Sequence, residues 1–450
     1  MRKAVDRKTV NKINPKEMSA VKRSVIMDLL IIPVLIFSLL FSTGSKPEFM
    51  LSEDPETESE ITAFWPIPSE HTTFSAIADK LIGTPAVSGR GRTPSEGFSS
   101  GGLVQYLYKE HSGILLSRKP SLQRELGKPV SEFQEGDLLF FNGDRGLISG
   151  VYLHDQEFIT VTNEGVSLRN LRKDKYWRER FLEGRRLTDQ ESERLNPSFY
   201  SDIDHQAVRE ALSLLHRPYR LTGSKLSAFD CSFLVQHAFA EMNIYLPRMT
   251  YQQYERGEPV SLEEAEAGDV IYFSGTWQKG ISHTGIYLGD RFFIHASGEE
   301  GETIISYLGR SWMDHFTGIR RFDSLAADTD IPQVREALPL IGTDYKKGGR
   351  SPKKGFSRSG FIHYVFKKSG ISLPRSAKNQ AEKGISVSLE SAKTGDVLFF
   401  RTDSGTLIPA LYIGNEAAIA VRMDEGVSAV DLQYSSFWNK NRLADIRRYN

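Results

Sequence analysis

The chain has 450 residues, 57 Lys and Arg against 57 Asp and Glu, 39% hydrophobic residues and one cysteine. Balanced charge argues against a dedicated nucleic-acid binder, which carries a basic excess, and the hydrophobic content argues against a largely disordered chain. A single thiol excludes an intrachain disulfide and any multi-cysteine zinc or iron–sulfur site, while the length implies roughly two to four domains.

The N-terminus is basic: Arg2, Lys3, Arg7, Lys8, Lys12, Lys16, Lys22 and Arg23 precede an apolar run from Val25 to Phe41, which Asp28 and Pro33 interrupt. The small residues Ser42, Thr43, Gly44 and Ser45 follow. This order reads as a signal peptide over 1–44, or as an uncleaved anchor, the run being at the lower limit for spanning a bilayer. Either reading exports the rest of the chain, because Lys and Arg stay on the cytoplasmic side. Membrane association is expected only through this segment. Residues 45–72 are acidic and rich in Pro, Ser and Thr, the composition of a flexible linker.

Beyond the linker one unit occurs three times. Gly-Asp followed by four apolar residues recurs at Gly136-Asp137, Gly268-Asp269 and Gly395-Asp396. Upstream of each lies a helix-like segment (Gly102–Tyr106, Phe233–His237, Gly360–Tyr364), and downstream a strand-like run (Gly150–Leu153, Gly285–Leu288, Ala410–Ile413). A Trp and then a double Arg close each unit: Trp177 with Arg185-Arg186, Trp312 with Arg320-Arg321, Trp438 with Arg447-Arg448. The period far exceeds that of solenoids, so this is domain triplication. The Arg pairs recur in every copy and read as structural. The expected domains are 73–190, 203–322 and 330–450, with boundaries in the polar stretches 188–204 and 323–331.

In the middle copy, Val208, Ala211, Leu212 and Leu215 give helical periodicity over Gln206–Leu215, and Ser232–Met242 reads as a second helix. Val270–Phe273, Thr284–Leu288, Arg291–His295 and Glu302–Leu308 read as short strands, with Gly289-Asp290 as a hairpin turn. Helices followed by an antiparallel sheet define an α+β domain.

Cys231 stands just before the second helix, where the backbone dipole favours a thiolate. His283 begins one strand and His295 ends the next, so antiparallel pairing would set the two imidazoles side by side. A nucleophile, a base and a group orienting the base would result. A buried, inert cysteine in a packed core is the competing reading, and the spacing alone does not separate the two. The other histidines, including His237, His315 and His363, read as surface or packing residues.

The middle copy resembles the NlpC/P60 family. The resemblance rests on Arg217-Pro218-Tyr219, Phe229-Asp230-Cys231-Ser232 with Val235, Leu246-Pro247-Arg248, Ala267-Gly268-Asp269, Ser282 to Gly289, and Phe293 to Ser297, all in family order. It implies three tandem papain-like domains, helices packed on a short antiparallel sheet or half-barrel. It further implies a cysteine peptidase of bacterial cell walls that cuts between D-glutamate and a diamino acid in peptidoglycan stem peptides. On that resemblance Cys231 is the nucleophile, His283 its base and His295 the residue orienting the base. Tyr219, Asp230 and Ser232 stand beside the substrate. No metal or cofactor is expected, and the partner is the stem peptide rather than nucleic acid.

Aligned on Phe98, the first copy places Ser100, Ile148 and Thr160 at the positions of Cys231, His283 and His295. Aligned on Phe356, the third copy places Arg358, Ile408 and Ala420 there. Both flanking copies are therefore expected to be inactive and to frame or bind. The alternatives for the whole chain are a non-catalytic cell-wall scaffold and a related thiol amidase or acyltransferase.

Overall fold

The computed structural model describes residues 72–89 and 91–450, which belong to one unit of the chain. The leader, and the linker apart from Thr72, lie outside the described residues. Among the described residues no helix is long and apolar enough to cross a membrane.

Three six-stranded antiparallel sheets, one per copy, share a single strand order. In the middle copy the order across the sheet is Glu258–Val260, Phe316–Arg321, Val270–Ser274, Ile281–Gly289, Phe292–Ser297 and Glu302–Tyr307. The last strand of the chain segment thus inserts between the first and the second. Helices packed on such a sheet give the α+β class.

The insertion explains two of the recurring sequence markers together. The second Arg of each pair lies on the inserted strand and makes a bidentate contact with the Asp of Gly-Asp: Arg186 with Asp137, Arg321 with Asp269, Arg448 with Asp396, all at 2.7–2.8 Å. The three carboxylates are 2–3% exposed. Paired, hydrogen-bonded charge is the form in which a buried carboxylate is tolerated.

Each sheet is preceded by a two-residue hairpin and a helix that starts directly after it. The hairpin pairs Ser224–Lys225 with Ala228–Phe229 in the middle copy. Phe98, Phe229 and Phe356 end the three hairpins and are wholly buried. Burial of such a ring stabilises by about 2–3 kcal/mol and fixes where the helix begins. The helix expected from Ser232 runs Cys231–Ala240, because Asp230 is its N-cap and accepts a hydrogen bond from the Phe233 amide at 3.0 Å. The helix expected over Gln206–Leu215 ends at Ser213. Arg291, read as strand, belongs to the hairpin turn. Gly289, Asp290 and Arg291 all have positive φ, 91°, 50° and 69°.

The stretch 188–204 is folded. Thr188 and Glu191 form a capping box on the helix Asp189–Arg194, and Pro197–Tyr200 makes a 3-10 turn. Leu195 and Tyr200 from this segment enter an apolar cluster that runs from Phe74 to Phe322 through the first and middle copies. The third copy is built on clusters of its own.

Candidate active site

The helix start and the sheet converge on Cys231. Its sulfur accepts hydrogen bonds from the Thr284 backbone and the Thr250 hydroxyl, which sets it against the strand that carries His283. His283 Nε2 lies 2.7 Å from His295 Nδ1, and His295 Nε2 lies 2.9 Å from Ser306 Oγ. Cys231, His283 and His295 are 5%, 7% and 0% exposed. The expected side-by-side arrangement of the imidazoles is present, with ring centroids 4.9 Å apart and planes at 86°.

Strand geometry produces this row. Ile286 pairs with Ile294 in the antiparallel ladder, so Gly285 faces His295. A side chain at Gly285 would place its Cβ 2.7 Å from the Ile294 carbonyl and 3.0 Å from the His295 Cβ. Glycine therefore permits the close approach of the two histidine strands. On the next strand His295 pairs with Ile304, and Ser306 is its diagonal neighbour on the same face.

The helix start argues for a thiolate, but burial outweighs it. Desolvation, with the Asp230 carboxylate nearby, pushes the Cys231 thiol up to about 11. Burial pushes His283 down to about 4, Asp230 opposing, and holds His295 well below its ordinary value, with His283 adding to the fall. The resting site is a neutral thiol beside neutral imidazoles. Tyr219, its hydroxyl pushed up to about 12 by burial and then by Cys231 and Asp230, lies in the same field.

A cleft of about 370 Å³ opens over His283. Tyr219, Trp277, Trp312 and His315 line it, as do Lys119, Ser121 and Leu122 of the first copy. His315, read from sequence as surface or packing, is a wall residue whose Nδ1 bonds the Ser274 carbonyl at 2.9 Å. Trp312 stacks on His283 with centroids 5.4 Å apart and meets His295 edge-on at 5.1 Å. It holds both rings from above.

Asp230 and Ser232 spend their polar atoms inside the protein. Besides capping the helix, Asp230 pairs with Arg248 at 2.8 Å and meets the Ser232 hydroxyl at 3.2 Å, while Arg248 also donates to Ser232 at 2.7 Å. This cluster fixes the first turn on which Cys231 sits. A buried glutamine does the same from the other side: Gln253 donates to the carbonyls of Ser232 and Pro247, both at 2.9 Å. Gln123 and Gln380 repeat that latch in the other copies.

The model for the NlpC/P60 family matches residues 87–186, 216–321 and 342–447. The chain belongs to the NlpC/P60 family. It is 38% identical over 370 residues to the gamma-DL-glutamyl hydrolase of Bacillus subtilis (strain 168), covering 79% of this chain and 86% of that protein. It is 36% identical over 122 residues to the bifunctional muramidase/DL-endopeptidase CwlT of the same organism, 27% of this chain and 37% of that protein. A solved Staphylococcus aureus structure, described as similar to a lipoprotein of the NLP/P60 family, aligns at 31% identity over 31% of this chain and 51% of that one, with a TM-score of 0.25.

Within this NlpC/P60 chain, the ladders place the flanking residues where the alignment expects them. Phe273 pairs with His283, Phe141 with Ile148 and Phe400 with Ile408. Helices begin at Ser100, Cys231 and Arg358. Thr160 is buried and donates to the Ser149 carbonyl at 2.8 Å, and Ala420 is buried in an apolar cluster. The Trp markers follow suit: Trp177 packs on Phe141 and Phe158, and Trp438 on Phe400 and Phe437, where Trp312 covers imidazoles.

Proposed function

We propose that the middle copy is a cysteine peptidase that hydrolyses an amide on the γ-carboxyl of D-glutamate in peptidoglycan stem peptides, outside the cytoplasm. The observation that carries this reading is the hydrogen-bonded row His283, His295, Ser306 beside a cleft, with Cys231 held against the strand that carries His283. The substrate follows from the family and from the gamma-DL-glutamyl bond in the name of the Bacillus subtilis relative.

The row dictates proton positions. A base facing the thiol needs a lone pair on His283 Nδ1, so Nε2 carries the hydrogen and donates to His295 Nδ1. His295 then donates from Nε2 to Ser306 Oγ. Burial keeps His295 neutral, and a protonated His295 would turn its Nδ1 into a donor and break the row. His283 takes the thiol proton as sulfur attacks the carbonyl carbon, and the imidazolium keeps its bond to His295. The N–H of Cys231, at a helix start, stabilises the oxyanion. His283 gives the proton to the leaving amine, and a thioester remains. Water, deprotonated by His283, opens it to the free γ-carboxylate and the thiol. The flanking copies, with isoleucine in place of the base, are non-catalytic.

Digestion of purified wall peptides, with products identified by mass spectrometry, tests the reading. Wild type should release fragments ending in D-glutamate, and Cys231→Ala should release none. Equal release by both would overturn it, and wall binding without release by wild type would support the scaffold reading instead.

A further inference from the structure

We propose that the first copy builds one wall of the substrate cleft, and that Lys119 on that wall is a specificity-determining residue that pairs with a free carboxylate on the glutamyl residue of the substrate. The proposal rests on the function given above.

The cleft over His283 is lined from two domains. Lys119, Ser121 and Leu122 face Tyr219, His283 and Trp312 across it. Among the described residues, Lys119 and Glu299 are the only Lys, Arg, Asp or Glu side chains in that lining. They form an ion pair, with side chains 40% and 62% exposed. An exposed pair of this kind contributes about 0–1 kcal/mol, so a substrate carboxylate can displace Glu299. It can also share the ammonium, which has three donors. A glutamyl residue linked through its γ-carboxyl leaves its α-carboxylate free, a few bonds from the scissile carbon. Lys119 is the cation in the described cleft lining that can meet it.

The wall is held firmly. Arg118, next to Lys119, pairs with Glu300 at 3.2 Å with side chains 9% and 1% exposed, and the Ser117 hydroxyl donates to the same carboxylate. Arg92 pairs with Glu302. Glu299, Glu300 and Glu302 lie on the turn and strand that follow His295. Behind the cleft, Leu122, Leu126, Leu195 and Ser117 close a void of about 20 Å³ against Ser306 and Trp312. Ser117, Leu122 and Leu126 of the first copy therefore stand behind Ser306 and Trp312, as Lys119, Ser121 and Leu122 flank the front of the row. The backbone of Lys119 is placed by this packing, and its side chain reaches into the cleft.

The test uses the full exported chain with Cys231→Ala, so that binding is read without turnover. Two probes are titrated by calorimetry: L-alanyl-γ-D-glutamyl-L-lysine, and the same peptide with the glutamyl α-carboxylate converted to a carboxamide. The expected result is about tenfold tighter binding of the carboxylate peptide, the range of one charge-assisted hydrogen bond. Lys119→Met added to this background should remove that preference by weakening the carboxylate peptide alone, and Lys119→Arg should retain it. Unchanged preference in Lys119→Met, equal weakening of both peptides, or no binding of either would overturn the proposal. Unchanged melting temperatures confirm that the variants fold. Turnover of both peptides by wild type is scored separately. Turnover with no preference sinks this proposal alone, and preference with no turnover sinks only the catalytic reading.

Discussion

The first and third copies have lost the same three side chains, yet they meet the middle copy in opposite ways. The first shares an apolar core with it and buries the Arg118–Glu300 pair at the junction. The third keeps separate cores and leaves a cleft of about 990 Å³ against the middle copy, lined by Arg358 and Ile408 from its own vacated site. Polar contacts bridge that junction: Arg256 with Asp431 at 3.0 Å and with the Asn415 carbonyl at 2.9 Å, and Tyr434 with Glu255. Absence of the cysteine and the two histidines therefore does not fix how a copy meets its neighbour. The first copy contributes residues to the cleft over His283, and the third leaves an open groove beside the middle copy.

The sharpest way to break the comparison is to give the middle copy the flanking residue. His283→Ile reproduces Ile148 and Ile408. It removes the base and should lower kcat at least about 10⁴-fold. His295→Thr, the first-copy state, keeps the base but loses its acceptor and should cost about 10²–10³-fold. Ser306→Ala should cost about tenfold, with KM unchanged in each case. Steady-state cleavage of a γ-D-glutamyl peptide reads all three. Equal losses in His295→Thr and Ser306→Ala would mean that the row does not act in sequence from His283.

The junctions differ next in stability. Glu300→Ala leaves the Arg118 guanidinium buried without its carboxylate and should destabilise the first–middle unit by about 3 kcal/mol. Denaturant unfolding at fixed pH measures it, and the transition of the third copy should not move. A loss under about 1 kcal/mol would show that the two copies are only loosely joined.

The copies should also part in their response to pH. His283 titrates near 4 when folded, below the 6.5 or so of an exposed imidazole, and His295 is lowered as well. Between those values the unfolded chain binds protons that the folded chain refuses. Stability of the middle copy is therefore lost on acidification from about pH 6.5 toward 4, by up to about 1.4 kcal/mol per unit for each histidine. Cys231, pushed up to about 11, acts at the other end: the unfolded thiol ionises first, so stability falls as pH rises from about 9. Melting temperature against pH should show a shallower acid limb in His283→Ile, because isoleucine carries no proton. An unchanged limb would place the titration elsewhere.

What the sequence disclosed was whatever repeats or lies close along the chain. The triplication, the α+β class, the helix that carries Cys231 and the strands that carry His283 and His295 all rest on local periodicity and recurring markers. Ser306 was not legible, because it joins the row only as the diagonal neighbour of His295 across a ladder. Trp312 is legible as a marker but not as the ring over His283, because its position along the chain does not say which rings it packs on. Gln123, Gln253 and Gln380 recur about 22 residues after the three helix starts, a repeat visible in the sequence, but their bridging of two carbonyls each is visible only in the structure. Lys119 belongs to another domain, and no reading of the middle copy alone could reach it. The Arg pairs read as structural from their recurrence in every copy, and for the second Arg of each pair the partners Asp137, Asp269 and Asp396 give the reason.

The smallest effect is expected where the third copy touches the middle one. Asp431 is about one-fifth exposed and pairs with Arg256, whose guanidinium also reaches the Asn415 carbonyl and lies 5.6 Å from the Tyr434 ring. Asp431→Asn removes the charge and keeps one acceptor oxygen for the amides of Gln433 and Tyr434, which Asp431 caps, while the side-chain NH2 takes the place of the oxygen that met Arg256. The change should cost about 1 kcal/mol or less, because Arg256 keeps its other partners and water reaches the pair. Cleavage by the middle copy should be unchanged, since neither Arg256 nor Asp431 lines the cleft over His283. Unfolding and turnover measured on the same preparation decide it. A loss of several kcal/mol, or a fall in kcat, would mean that the third copy is coupled to the site as tightly as the first and would erase the difference between the two junctions.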